Sequence, residues 1–192
     1  LAGSSNGFLD ATGSAAKFNK PRGITTDGTN LYVVDQNNHM IRKIVIATGV
    51  VTTIAGSTSS GSTDATGTSA RFNGPKEIST DGTNLYVVDS SNHKIRKIVI
   101  ATGVVTTFAG SSDGFLDHNT GTSAKFNGPQ GITSDGTNLY VSDTNNQTIR
   151  KIVISTGAVT TLAGYPGTTG STDGTGTSAR FKYTRGITTD GT

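Results

Sequence analysis

Short runs of Val, Ile, Leu and Tyr recur along the chain, separated by links that carry Gly, Thr, Asn and Asp. One stretch reads Glu77-Ile78-Ser79-Thr80, Leu85-Tyr86-Val87-Val88-Asp89, Ile95 to Ile100 and Val104 to Ala109. Runs rich in β-branched and aromatic residues and bounded by turn formers predict strands. The links Asp81-Gly82-Thr83-Asn84, Ser90 to Lys94 and Ala101-Thr102-Gly103 are short, so each strand lies antiparallel to the next in a four-stranded meander. Leu31-Tyr32-Val33-Val34 and Ile41 to Ile46 are nearly continuous apolar runs, which implies sheets covered on both faces.

The pattern repeats. Blocks from Phe18 to Gly56, Phe72 to Gly110 and Phe126 to Gly164 match without insertion, and a further copy begins at Phe181. The phenylalanines are 54, 54 and 55 residues apart, a period that marks solenoids and propellers. Four-stranded sheets that each need a neighbour on both faces predict an all-β fold, a β-propeller of four-stranded antiparallel blades. About three and a half blades are expected: 18–56, 72–110, 126–164 and a partial blade 181–192, with residues 1–3 the remnant of a preceding one. That arrangement leaves blade faces open, so either a longer parent chain or self-association through the open ends is expected.

The string Ala70-Arg71-Phe72-Asn73-Gly74-Pro75, Asp81-Gly82-Thr83-Asn84-Leu85-Tyr86-Val87-Val88-Asp89, Asn92-His93 and Ile95-Arg96-Lys97-Ile98 resembles the NHL repeat, and the resemblance covers essentially the whole chain. It implies a propeller, usually six-bladed in that family. Family roles include protein interaction, RNA binding, extracellular sensing and, in one branch, a metal-dependent lyase.

Composition narrows these. There is no cysteine, which excludes disulfides and thiolate chemistry. The net charge of +3 is mild, and no aromatic residue interleaves with the Arg-Lys pairs 42-43, 96-97 and 150-151, so a nucleic-acid partner is not expected. No apolar run reaches the roughly 18 residues of a membrane span. The Thr/Ser/Gly-rich composition resembles bacterial surface proteins, so a cell-surface or secreted setting is expected.

Residues repeated in every blade read as architecture. Asp35, Asp89 and Asp143, each with an Asn three residues on, are expected to cap their own connections. His39 and His93, replaced by Gln147 in the third copy, are expected to hydrogen-bond within their turns, and no metal site or cofactor is expected. Each arginine of the Arg-Lys pairs is expected to meet a strand-end aspartate while lysine reaches solvent. Phe18, Phe72, Phe126 and Phe181 are expected in the core.

The connections between blocks vary in length, 15, 16, 16 and 17 residues from Gly to Phe, and variable loops on rigid scaffolds carry recognition. Each holds an acid, Asp10, Asp64, Asp117 or Asp173, read as a turn former, since one carboxylate per loop falls short of the ligands calcium takes. Loops one and three add Phe8-Leu9 and Phe115-Leu116. Phe8, Leu9, Phe115, Leu116, Asp64 and Asp117 are therefore the candidate binding residues. Thr26–Gly56 and Thr80–Gly110 differ at four of 31 positions, too little asymmetry for one active site. The expected function is a non-catalytic scaffold for protein or glycan recognition. The alternative is a structural, self-assembling module, with a lyase or an RNA binder behind both.

Overall fold

The structure, a computed structural model, describes residues Leu1–Asp190; the last two residues of the partial blade 181–192 lie outside them. Its regular elements are strands and single-turn 3-10 helices. The main strands are β1 (Pro21–Thr26), β2 (Asn30–Asp35), β3 (Met40–Val45) and β4 (Val51–Gly56), then β5 (Pro75–Thr80), β6 (Asn84–Asp89), β7 (Lys94–Val99) and β8 (Val104–Ala109), and finally β9 (Gly131–Ser134), β10 (Asn138–Asp143), β11 (Thr148–Val153) and β12 (Val159–Ala163). Each set of four forms an antiparallel sheet in sequence order, and the short strand Ala65–Thr66 adds an edge to the middle sheet beside β8. The chain divides into two compact units, Leu1–Val87 with Lys97–Thr106, and Val88–Arg96 with the residues from Thr107 onward. The division passes through the middle sheet, whose segments belong partly to each.

The first link of every sheet is set by one aspartate. Asp27 Oδ1 accepts from the backbone N–H groups of Thr29 and Asn30, and Oδ2 from Asn30 Nδ2 and the Tyr32 hydroxyl at 3.0 and 2.8 Å. Asp81 and Asp135 repeat this with Tyr86 and Tyr140. Burial lifts the Asp27 carboxyl, but the bonds from Asn30, Tyr32 and Thr29 outweigh it and hold the group well below its ordinary range. Asp135 is lowered by the Asn138 and Thr137 N–H groups. Burial and the Asp27 bond in turn push Tyr32 up from 10.0 to about 12.

In the first unit, Tyr32, Val34, Ile41 and Ala55 of one repeat pack against Phe72, Ile78, Leu85, Val87 and Ile98 of the next, all buried. The two sides come from alternate positions of the same strand pattern, so each repeat presents one face forward and one back. In the second unit Phe126, Leu139, Val141 and Ile152 are fully buried. Phe18 and Phe181 are half-buried.

The phenylalanines lock against a glycine at the end of the preceding repeat. Gly56, Gly110 and Gly164 sit at φ +90°, +93° and +90°, where a Cβ would fall on the carbonyl of His39, His93 or Gln147. The same Cβ would press on the ring of Phe72, Phe126 or Phe181, at 3.0, 3.2 and 3.0 Å. Only glycine meets both the backbone and the contact requirement.

Phe72→Ala should cost about 3–5 kcal/mol through the cavity it leaves, read from chemical denaturation; an unchanged midpoint would contradict the packing described. The tyrosine shift sets an alkaline limit. A raised phenol stabilises the fold below its ordinary value of 10.0, and that contribution disappears as pH climbs through about 12. The phenolate absorbance of Tyr32, Tyr86 and Tyr140 should therefore lag the ordinary titration and rise together with loss of the β circular dichroism signal.

Candidate functional site

The strand pattern places an arginine at the centre of the third strand of each sheet, and Arg42, Arg96 and Arg150 are fully buried. Burying a guanidinium is costly unless its charge and donors are met. Arg42 Nη1 donates to Asp35 Oδ2 at 2.8 Å and to the Lys17 carbonyl at 3.0 Å. Its Nη2 donates to Asp10 Oδ1 at 2.5 Å and to the Leu9 carbonyl at 3.0 Å, and Nε to Asp10 Oδ1 at 3.1 Å. The guanidinium carbon lies over two rings, 5.0 Å from the centroid of Phe8 and 4.9 Å from that of Phe18.

Arg150 repeats the arrangement in the second unit. It bonds Asp143 at 2.8 Å, Asp117 at 2.5 Å and the carbonyls of Lys125 and Leu116 at 3.0 and 2.9 Å. Phe115 and Phe126 lie 4.7 and 5.0 Å away. Arg96 holds Asp89 at 2.9 Å. The predicted pairing of each arginine with a strand-end aspartate is therefore what the structure shows.

Three expectations need correction. Asp10 and Asp117 are not turn formers: each is the second carboxylate of a buried arginine. Their Oδ2 atoms also accept from the Thr53 and Thr161 N–H groups, both at 3.0 Å, beside the register shifts in β4 and β12 opposite Arg42 and Arg150. Asp35 and Asp143 do not cap the backbone amides of their own connections. Their Oδ1 atoms accept from Asn19 N and Asn127 N at 2.7 Å, at the start of the same repeat, while Oδ2 takes Asn38 Nδ2 or Asn146 Nδ2 and the arginine. Burial pushes the Asp143 carboxyl up, opposed by Asn127, Asn146 and Arg150.

The histidines do not bond within their turns either. His39 Nδ1 accepts from Gly74 N at 3.1 Å and His93 Nδ1 from Gly128 N at 3.0 Å, each 35 residues on. Gln147 Oε1 accepts from Tyr183 N at 2.8 Å. The joint needs a side-chain acceptor, which explains why glutamine can replace histidine.

Of the candidate binding residues, Phe8 and Phe115 show one face to solvent, at 44% and 37% exposure, with the other on the arginine. Leu9 and Leu116 are exposed beside them. Asp117 is committed to Arg150, and Asp64 is exposed in the second loop. The pairs Phe8-Leu9 and Phe115-Leu116 lie in different units, each presented by its own latched loop. Sequence reasoning missed the loop aspartate as a latch and the Thr53 and Thr161 amides as its partners. The signal was present: every loop keeps an Asp, and Asp10 stands 32 residues before Arg42, Asp117 33 before Arg150.

No group of three or more His, Cys, Asp or Glu able to hold a metal occurs among the described residues, and no helix there is long and apolar enough to cross a membrane. Glu77, which stands where the other repeats have Gly23 and Gly131, is raised by burial against the pull of the Ile78 N–H and the Arg22 charge.

No protein-family model matches the chain. Among curated proteins it is similar to NHL repeat-containing protein 2 of Gallus gallus, 28% identical over 99% of this chain and 31% of that protein. Protein SUPPRESSOR OF QUENCHING 1, chloroplastic, of Arabidopsis thaliana is 29% identical over 82% of this chain and 16% of its own length. The chain thus spans less than a third of the length of these relatives. An auxiliary nutrient binding protein from Bacteroides thetaiotaomicron superposes with TM-score 0.72 at 20% identity, over 98% of this chain and 50% of that one. Virginiamycin B lyase from Staphylococcus aureus gives 0.51 at 23%, over 77% and 42%. A nidogen/laminin complex gives 0.54 at 20%, over 74% and 48%. These likenesses are of fold, and the fold is a β-propeller.

Asp117→Asn should weaken the fold by roughly 1–3 kcal/mol, because a fully buried guanidinium then keeps a single carboxylate. Thermal unfolding measures it, and a variant as stable as the parent would show that the latch bears no load.

Proposed function

We propose that this chain, whose repeats resemble the NHL repeat, is part of a non-catalytic propeller scaffold that recognises a protein or glycan partner through its inter-blade loops, in a cell-surface or secreted protein. The observation that supports this most is the pair of latched tips. Phe8-Leu9 and Phe115-Leu116 expose apolar surface on loops fixed at several atoms to a buried arginine. Exposed aromatic anchors held rigid before binding lose little entropy on contact. In this reading Asp10 and Asp117 set the position of the tips, Asp64 is assigned the same task in loop two, and the rings make the contact.

The acids also speak against catalysis. Asp27, Asp81 and Asp135 are spent on turns, and Asp35, Asp89, Asp143, Asp10 and Asp117 on arginines.

The recognition reading is tested by grafting Ser-Thr from loop two onto loop three as F115S/L116T, retaining Asp117, and comparing glycan-array and protein-array profiles with the parent. The expected outcome is loss of the parent's specific signals with the fold retained. Signals that survive the graft, in a variant that also carries F8S/L9T, would show that the tips make no contact.

A further inference from the structure

We propose that Asn127-Gly128 is a site of covalent self-modification, at which the glycine nitrogen closes on the asparagine side chain to form a succinimide. His93 is the base, and Asn145 the donor that polarises the reacting carbonyl. Any Asn-Gly pair is open to this closure, since glycine has no Cβ to obstruct the attack. At this pair the fold supplies the catalytic groups as well.

His93 Nδ1 accepts from Gly128 N at 3.0 Å. The nitrogen that must lose a proton in order to attack is therefore already bonded to an imidazole lone pair, within the reach a general base needs. The proton leaves in the plane of the peptide, whereas attack uses the electron pair perpendicular to it, so the contact leaves the ring closure free. Asn145 Nδ2 donates to Asn127 Oδ1 at 3.2 Å, which draws electrons from the carbon under attack. The Asn145 amide also lies 2.6 Å from the place a Cβ on Gly128 would occupy, and Gly128 holds φ +54°, so only glycine fits. Asn127 is held in turn by its own N–H on Asp143 Oδ1 at 2.7 Å. All of these residues belong to the second compact unit.

The repeats differ at this point. In the first, Lys20 takes the place of the glycine, at φ +55°. In the second, Gly74 meets His39 at 3.1 Å, but Ser91 stands where the third has Asn145. The third combines the Asn-Gly pair, the histidine and the second asparagine.

In the reaction Gly128 N bonds to Asn127 Cγ and the Cγ–Nδ2 bond breaks. The amide proton passes to His93 Nδ1 and on to the departing nitrogen, which leaves as ammonia. Water then opens the ring to aspartate or isoaspartate. Either product sets a new carboxylate beside buried Asp143, and isoaspartate also adds a methylene to the backbone between Phe126 and Pro129.

Peptide mapping by mass spectrometry, on the full chain aged in neutral buffer made with heavy-oxygen water, tests the assignment. The parent should gain isoaspartate and heavy oxygen at position 127. H93Q keeps an acceptor of the kind Gln147 supplies to Tyr183 N but has no base, and should slow conversion at least about tenfold. N145A should slow it too, while Asn6-Gly7 in the first loop should convert at one rate in all three chains. Loss of structure frees an Asn-Gly pair to close, so slowing cannot come from unfolding. No product at position 127 in the parent, or conversion in either variant as fast as in the parent or faster, would overturn the proposal.

Discussion

A guanidinium buried in the middle of each sheet is the constraint from which much of the rest follows. Desolvating it is tolerable only with compensating negative charge and filled donors. At Arg42 the charge comes from Asp35 on the neighbouring strand and Asp10 on the loop before the repeat, and the remaining donors go to two loop-side carbonyls. The arginine thus joins elements 32 residues apart, and the inter-repeat loop cannot drift from the sheet without exposing its charge. Two phenyl rings pack near the guanidinium, and burial of the Arg42–Asp35 pair away from water strengthens it.

The strands, the glycine-bearing links, the covering of both sheet faces and the arginine–aspartate pairing were all legible in the sequence, because each depends on residues close in the chain or on alternation along a strand. What local reasoning misassigned were bonds between residues 16 to 35 positions apart in the chain. His39 looks like a turn residue, yet its partner is Gly74; Asp35 looks like a cap, yet it receives Asn19 N; Asp10 looks like a turn former, yet it closes on Arg42. In each case a short polar side chain beside a turn has a local use available, and burial of a distant donor decides otherwise. The constancy of an Asp in loops of otherwise variable sequence was the readable trace of that distant demand.

Symmetry separates architecture from recognition. Groups that recur in every repeat are bound to each other, and the propeller uses its acids on turns and arginines. Some departures from the repeat reach solvent, Phe8 and Phe115 at two loops among them, while others such as Met40 and Thr148 stay buried. A scaffold of nearly identical units can thus vary its loop tips while its interior bonds stay constant.

A double-mutant cycle on Asp35 and Arg42 tests the central claim most directly, with unfolding free energies measured for D35N, R42M and D35N/R42M. If the buried pair governs the sheet, R42M alone costs about 3–5 kcal/mol and the double variant costs little more than either single, a coupling of about 2 kcal/mol or greater. Additive losses in the double variant would show that the two side chains act independently and that the buried pair does not govern the sheet.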